Sequence, residues 1–174
     1  VNPGRDELSG IDCVASAADL PTVPDAAFVA APPSASVEII RELAAIGAGG
    51  AVCYASGFAE LSDAGIDLQT TLRDAAGDMA VVGPNCHGFV NYLDGVALWP
   101  DEHGGTRKER GVALVTQSGN FGINLSMQQR GVDLGMVITV GNKGCLGIHD
   151  YIEYLVSDPR ISAIGLHIEG MEHV

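Results

Sequence analysis

The feature that most constrains this sequence is a repeated order: a short apolar run, a turn bearing glycine or proline, then an amphipathic stretch. Residues 26–31, 50–56 and 79–82 are apolar runs of strand length in the first half. Residues 112–115, 134–140 and 161–168 are their counterparts in the second. Between them, Ser34-Ala35-Ser36 offers an N-cap to a helix reaching about Ile46, with Val37, Ile40, Leu43 and Ala44 at helical spacing. Gly47 to Gly50 stop it. Further helices are expected at about 66–76, from Gly119 toward Arg130, and at 148–156. A strand that is apolar throughout needs cover on both faces, and intervening helices supply it. The pattern therefore predicts parallel sheets with right-handed crossovers. Hydrophobic residues make up 47% and aromatics 5%, with 23 glycines, which suits close helix–sheet packing. A length of 174 residues can bury one large core or two small ones.

In such sheets ligands bind beyond the carboxyl ends of the strands, so the turns there hold the candidate chemistry. The most informative is Thr116-Gln117-Ser118-Gly119-Asn120-Phe121-Gly122. A small turn between a buried strand and a helix leaves backbone N–H groups pointing outward, with the positive end of the helix dipole behind them. That is a site for phosphate or carboxylate. Thr116 stands where a hydrolase nucleophile elbow needs glycine, so Ser118 is not expected to be a nucleophile.

The formal net charge is −13, from 22 acids against 9 bases. The only dense basic patch is Arg107-Lys108-Glu109-Arg110, read as a solvated loop, so no nucleic-acid partner is expected. No apolar run approaches the roughly 18 residues of a membrane span, and nothing resembles a signal peptide. The expectation is a soluble cytoplasmic protein without a membrane partner. Cys13, Cys53, Cys86 and Cys145 are widely spaced, as reduced and mostly buried thiols would be, and no His, Cys and carboxylate spacing suggests a metal.

Several motifs occur in order: Val1-Asn2-Pro3, Pro24-Asp25, Gly57-Phe58-Ala59-Glu60, Gly83-Pro84-Asn85-Cys86-His87-Gly88, Gln117-Ser118-Gly119, Gly141-Asn142, Asp158-Pro159 and Ile168-Glu169-Gly170. Together they resemble the CoA-binding and first ligase subdomains of the NDP-forming acyl-CoA synthetases. That superfamily includes ADP-forming acetyl-CoA synthetase and the α subunit of succinyl-CoA synthetase. The resemblance runs along almost the whole chain. It implies a Rossmann-like CoA-binding domain over 1–91, a connection over 92–110, and a flavodoxin-like domain over 111–174. The first is expected to lack its first βα unit and the second its later strands, because Val1-Asn2-Pro3 and Glu169-Gly170-Met171 both read as strand exits. A longer polypeptide is expected.

The resemblance further implies an acid–thiol ligase that couples acyl-CoA formation or cleavage to ATP or ADP, through an acyl phosphate and a phosphohistidine. It assigns the phosphate to Ser118, Gly119 and Asn120, and orientation of the histidine to Glu169. A carboxylate accepting from one imidazole nitrogen frees the other as nucleophile. The CoA groove would involve Pro32, Pro33, Gly57, Phe58 and Glu60, with Asn85 and Cys86 between the thiol end and the phosphohistidine loop. Coenzyme A and a carboxylic acid are the implied ligands. ATP or ADP and Mg²⁺ would be held outside this chain by an ATP-grasp domain or β subunit, in an oligomer. The phosphorylated histidine would also lie outside the chain, since none of its five histidines sits in a matching loop. His87 replaces a residue that is often leucine or proline in relatives. It reads as a loop residue or as one that influences thioester chemistry. Two other readings stay open. One is a CoA-sensing module without the histidine. The other is a nicotinamide-dependent dehydrogenase, for which the chain lacks the G-x-G-x-x-G turn.

Overall fold

A computed structural model of the protein describes residues 1–128 and 130–170. It begins with a small hairpin, β1 (Glu7–Leu8) and β2 (Ile11–Asp12), and a 3₁₀ turn at Ala17–Asp19. Then come β3 (Ala27–Val29), α1 (Pro33–Ala45), β4 (Gly50–Cys53), α2 (Asp63–Ala76) and β5 (Ala80–Val82). These three strands form one parallel sheet in the order β3-β4-β5. Its core joins Val29, Ala51, Cys53 and Val81 of the strands to Ile40 and Leu43 of α1 and Leu72 of α2. Each fully buried Ile or Leu contributes about 1.5–3 kcal/mol.

The second half holds β6 (Gly88–Asn91), β7 (Val96–Leu98), β8 (Gly111–Thr116), α3 (Gly119–Ser126), β9 (Leu134–Thr139), α4 (Ile148–Val156) and β10 (Ile161–His167). Their five-stranded sheet runs β10-β8-β9-β6-β7. Successive side chains of β8 and β9 point to opposite faces. Ala113, Val115, Met136 and Ile138 pack with Tyr151 and Leu155 of α4. Leu114 and Val137 pack on the other side with Val90, Tyr92 and, partly, Leu125 of α3. The chain is thus a Rossmann-like unit followed by a flavodoxin-like one. No helix among the described residues is long and apolar enough to cross a membrane.

Three local expectations change. The second sheet is mixed, not parallel: β6 pairs antiparallel with β9 and with β7. Residues 88–91 form a strand that was not expected, because Gly-Phe-Val-Asn is short and shows no apolar run. It also belongs to the second sheet by its hydrogen bonds. In the first sheet α1 begins at Pro33 with Pro32 as its cap residue, ahead of Ser34 to Ser36. Proline suits that first turn, where its missing N–H is no loss, while Ser36 Oγ donates back to the Ala31 carbonyl at 2.9 Å.

The two sheets meet at the carboxyl ends of their strands. The N–H of Asn142, after β9, donates to the Pro84 carbonyl at 2.9 Å, and that of Gly144 to the Gly83 carbonyl at 2.8 Å. The buried hydroxyl of Thr139 accepts the His87 N–H at 2.8 Å and donates to the Gly88 carbonyl at 3.0 Å. These bonds lock the turn after β5 to the end of β9.

Candidate functional site

A cleft of about 710 Å³ opens where those strand ends converge. From the first sheet it is lined by Ala30 to Pro33 after β3, Tyr54 to Ser56 after β4, and Asn85 to His87 after β5. From the second sheet come Gln117 to Asn120 after β8 and Glu169 after β10. Five strands of two sheets therefore deliver their exits to one place, as the rule for doubly wound sheets requires.

At the second-sheet wall, Ser118 caps α3: its Oγ accepts the Phe121 N–H at 3.3 Å. The turn is braced by buried Thr116, whose Oγ1 accepts the Ser118 N–H at 3.0 Å and lies 3.1 Å from His167 Nδ1. The His167 ring stacks on Phe121, centroids 4.4 Å apart. The N–H groups of Gly119 and Asn120 meet no acceptor among the described residues. They remain free to bind an anion at the positive end of the helix. Gln117 ties in the exit of β10, its Oε1 accepting the N–H of Glu169 at 2.5 Å and of Gly170 at 2.9 Å. Lys143 Nζ donates to the Gly170 carbonyl at 3.1 Å, so this lysine holds the turn.

At the first-sheet wall, Asn85 adopts a left-handed backbone with φ 57°, a conformation asparagine tolerates. Its N–H donates to the Ala55 carbonyl at 2.9 Å and its amide reaches Asn142 Oδ1 at 3.3 Å. Cys86 is 3% exposed, its sulfur 3.5 Å from the Cys53 carbonyl. Burial pushes its thiol up to about 12, so it stays protonated at neutral pH. Cys86 forms part of the floor of the cleft.

Of the residues singled out in the sequence, Pro32, Pro33, Asn85, Cys86, Ser118, Gly119, Asn120 and Glu169 line this one cleft. The Gly57-Phe58-Ala59-Glu60 turn does not. Phe58 is 0% exposed and lies in the core of the first half. Gly57 backs the wall instead, since a Cβ there would stand 2.9 Å from Pro33 Cγ. Glu60 accepts from the N–H groups of Gly57 and Phe58 and from the Asn142 amide. Burial opposes its ionisation, but hydrogen bonds from the Gly57 N–H, the Asn142 amide and the Glu60 and Phe58 N–H groups together outweigh it and hold its carboxyl below the usual range. Its hydrogen bonds are those of a brace between halves. Ser56, at the head of that strand-exit turn, does line the cleft, and so does Tyr54, which the sequence marks only by its place after a strand. Among the described residues no group of three or more His, Cys, Asp or Glu converges as a metal site.

Residues 1–92 match the family described as the CoA binding domain, and residues 109–174 match the succinyl-CoA ligase like flavodoxin domain. The chain is 33% identical to trans-feruloyl-CoA synthase FCS1 of an unknown prokaryotic organism, over 98% of this chain and 25% of that protein. It is 30% identical to the ADP-forming acetate–CoA ligase I of Archaeoglobus fulgidus, over 99% of this chain and 25% of that protein. Among solved structures it resembles the dinucleotide-forming acetyl-coenzyme A synthetase 1 of Ca. Korarchaeum cryptofilum. The TM-score is 0.85 at 28% identity, over 99% of this chain and 38% of that one. The chain thus spans about a quarter of the length of these curated relatives. With both halves matched in order along nearly its whole length, the chain belongs to the NDP-forming acyl-CoA synthetase superfamily, as a CoA-binding domain followed by a succinyl-CoA-ligase-like flavodoxin domain.

Proposed function

We propose that the polypeptide carrying this chain is an acid–thiol ligase that couples acyl-CoA formation or cleavage to ATP or ADP. One observation supports this most: a single cleft joins the strand exits of the CoA-binding domain to the capped, donor-bearing start of α3. A thiol carrier entering over the first sheet and a phosphoryl group held by the second would meet there.

The residues fit these groups. Ala30, Ala31, Pro32 and Pro33 offer a wall of small and rigid side chains against which a long, thin ligand such as coenzyme A can lie. Asn85 and Cys86 stand between that wall and α3. The N–H groups of Gly119 and Asn120 would bind phosphoryl oxygens, with Ser118 holding the turn in shape. Glu169, exposed at the cleft rim with its backbone fixed by Gln117, would orient a histidine supplied by another segment. Coenzyme A supplies the thiol, and acyl phosphate and phosphohistidine carry the activated groups. Nucleotide and Mg²⁺ belong to an ATP-grasp domain or β subunit outside this chain.

The test has two arms. Thermal unfolding of the chain with coenzyme A, acyl-CoAs, NAD and phosphate should show stabilisation by coenzyme A, about 2.7 kcal/mol at a hundredfold excess over Kd. Stabilisation by NAD alone overturns the reading. The whole polypeptide, with any separate ATP-grasp subunit, should form acyl-CoA from ATP, coenzyme A and a panel from acetate to aromatic acids. The chain alone should be silent. Coenzyme A binding without histidine phosphorylation in the whole polypeptide would indicate a sensing module.

A further inference from the structure

We infer that His87, oriented by Asp101, is the base that takes the thiol proton when coenzyme A attacks the acyl group, an inference that rests on the synthetase reading above. His87 lines the cleft between the two walls, with 22% of its side-chain surface open. Its backbone is pinned by the Thr139 hydroxyl. Its ring stands edge-on to Tyr54 and tilted against Trp99, with centroids 5.6 Å away in each case. A side chain held on three sides in this way has one orientation to offer.

That orientation separates the two ring nitrogens. Nε2 lies 3.1 Å from Asp101 Oδ2. A carboxylate accepts only, so it draws the proton of neutral imidazole to Nε2 and leaves the lone pair on Nδ1. Nδ1 meets no hydrogen-bonding partner among the described residues. It lies over Gly119, the first residue of α3, where a Cβ would stand only 2.6 Å away. Glycine is therefore required at the one point where a basic nitrogen and the free N–H groups of the helix start come together. The adjacent thiol of Cys86 cannot serve instead, being buried and held protonated.

A free thiol has a pKa near 8.5, and only a few per cent of it is thiolate at pH 7. A base placed at the thiol removes that deficit. In the step assigned here, the S–H proton passes to His87 Nδ1 as the sulfur electron pair forms the S–C bond to the acyl phosphate. The C–O bond to phosphate breaks, and phosphate leaves with that pair. The proton on Nδ1 goes to the departing phosphate, which the Gly119 and Asn120 N–H groups hold beside it. Neutral His87 is restored. The Asp101 carboxylate stabilises the imidazolium that forms between these events.

The test uses the whole polypeptide with its ATP-grasp partner and the variants His87→Gln, His87→Ala and Asp101→Asn. His87→Gln should lower kcat for acyl-CoA formation about 10²–10⁴-fold and leave KM for coenzyme A within about threefold. Phosphorylation of the histidine by ATP, a half-reaction without a thiol, should be unchanged. Added imidazole should restore the rate of His87→Ala at least about tenfold, which a merely structural histidine would not show. Asp101→Asn should lose about tenfold. A wild-type rate in His87→Gln, loss of phosphorylation along with thiolysis, or no rescue by imidazole each overturns the assignment while leaving the synthetase reading in place. A wild-type protein that binds coenzyme A but forms no acyl-CoA overturns both.

Discussion

The placement of His87 over Gly119 can be tested by stability alone, because two physical effects there have opposite signs. In a helix, alanine is favoured over glycine by about 0.5–1 kcal/mol, so Gly119→Ala at the start of α3 should stabilise if nothing else changes. A Cβ at that position stands 2.6 Å from His87 Nδ1 and 3.2 Å from Cε1, where ordinary contact begins at 3.4 Å. The ring cannot swing away freely, being hydrogen-bonded to Asp101 and walled by Tyr54 and Trp99. Overpacking of this kind costs about 1–3 kcal/mol. The net expectation is destabilisation by roughly 0.5–2 kcal/mol once the helix preference is subtracted. In a His87→Ala background the obstacle is gone and the same substitution should stabilise, giving a coupling of about 1–3 kcal/mol, the overpacking cost itself. Urea unfolding followed by fluorescence of Trp99, the single tryptophan, reads this at the site, because its ring lies beside His87. Equal stabilisation of both backgrounds by Gly119→Ala would refute the packing and, with it, the alignment of Nδ1 with the start of α3.

Three further outcomes are expected. Cys86 should resist iodoacetamide at pH 8 until urea unfolds the chain, since a thiol held at about 12 is ionised only to about one part in 10⁴ against about a quarter for an ordinary thiol; labelling at the unfolded rate, read by mass spectrometry, would contradict its burial. Phe58→Ala should cost about 3–5 kcal/mol in urea unfolding yet leave Kd for coenzyme A unchanged below the transition, because the ring faces the core and not the cleft; a weakened Kd would return it to the groove. Arg160 holds the Asp94 and Asp158 carboxyls below their ordinary values, chiefly through hydrogen bonds. A depressed folded pKa gives a contribution present above the unfolded value and lost as pH falls through the folded one, so the urea midpoint should drop below about pH 4 and Arg160→Gln should remove that component.

Much of the fold was legible in the sequence because its signals are local. Residues 148–156 carry a strong helical period and form α4 over that span. The apolar runs mark β8, β9 and β10 to within a residue or two. The β6 strand was not legible, since four residues with glycine at the start acquire strand character only from β9 and β7 on either side. The same division holds in the cleft. The turn at Ser118-Gly119-Asn120 could be read as an anion site because an N-cap and a helix start lie within one short segment.

What the sequence by itself determined is the order of strands and helices, the turns that end them, and the family that the ordered motifs carry. Tertiary structure alone decided that Phe58 is core, that Glu60 braces one half against Asn142 of the other, and that His87 stands between Asp101 and Gly119. The physical reason is that propensity and period act between near neighbours along the chain. A side chain's burial, tautomer and reach are set instead by groups from other strands, which packing brings within a few ångströms.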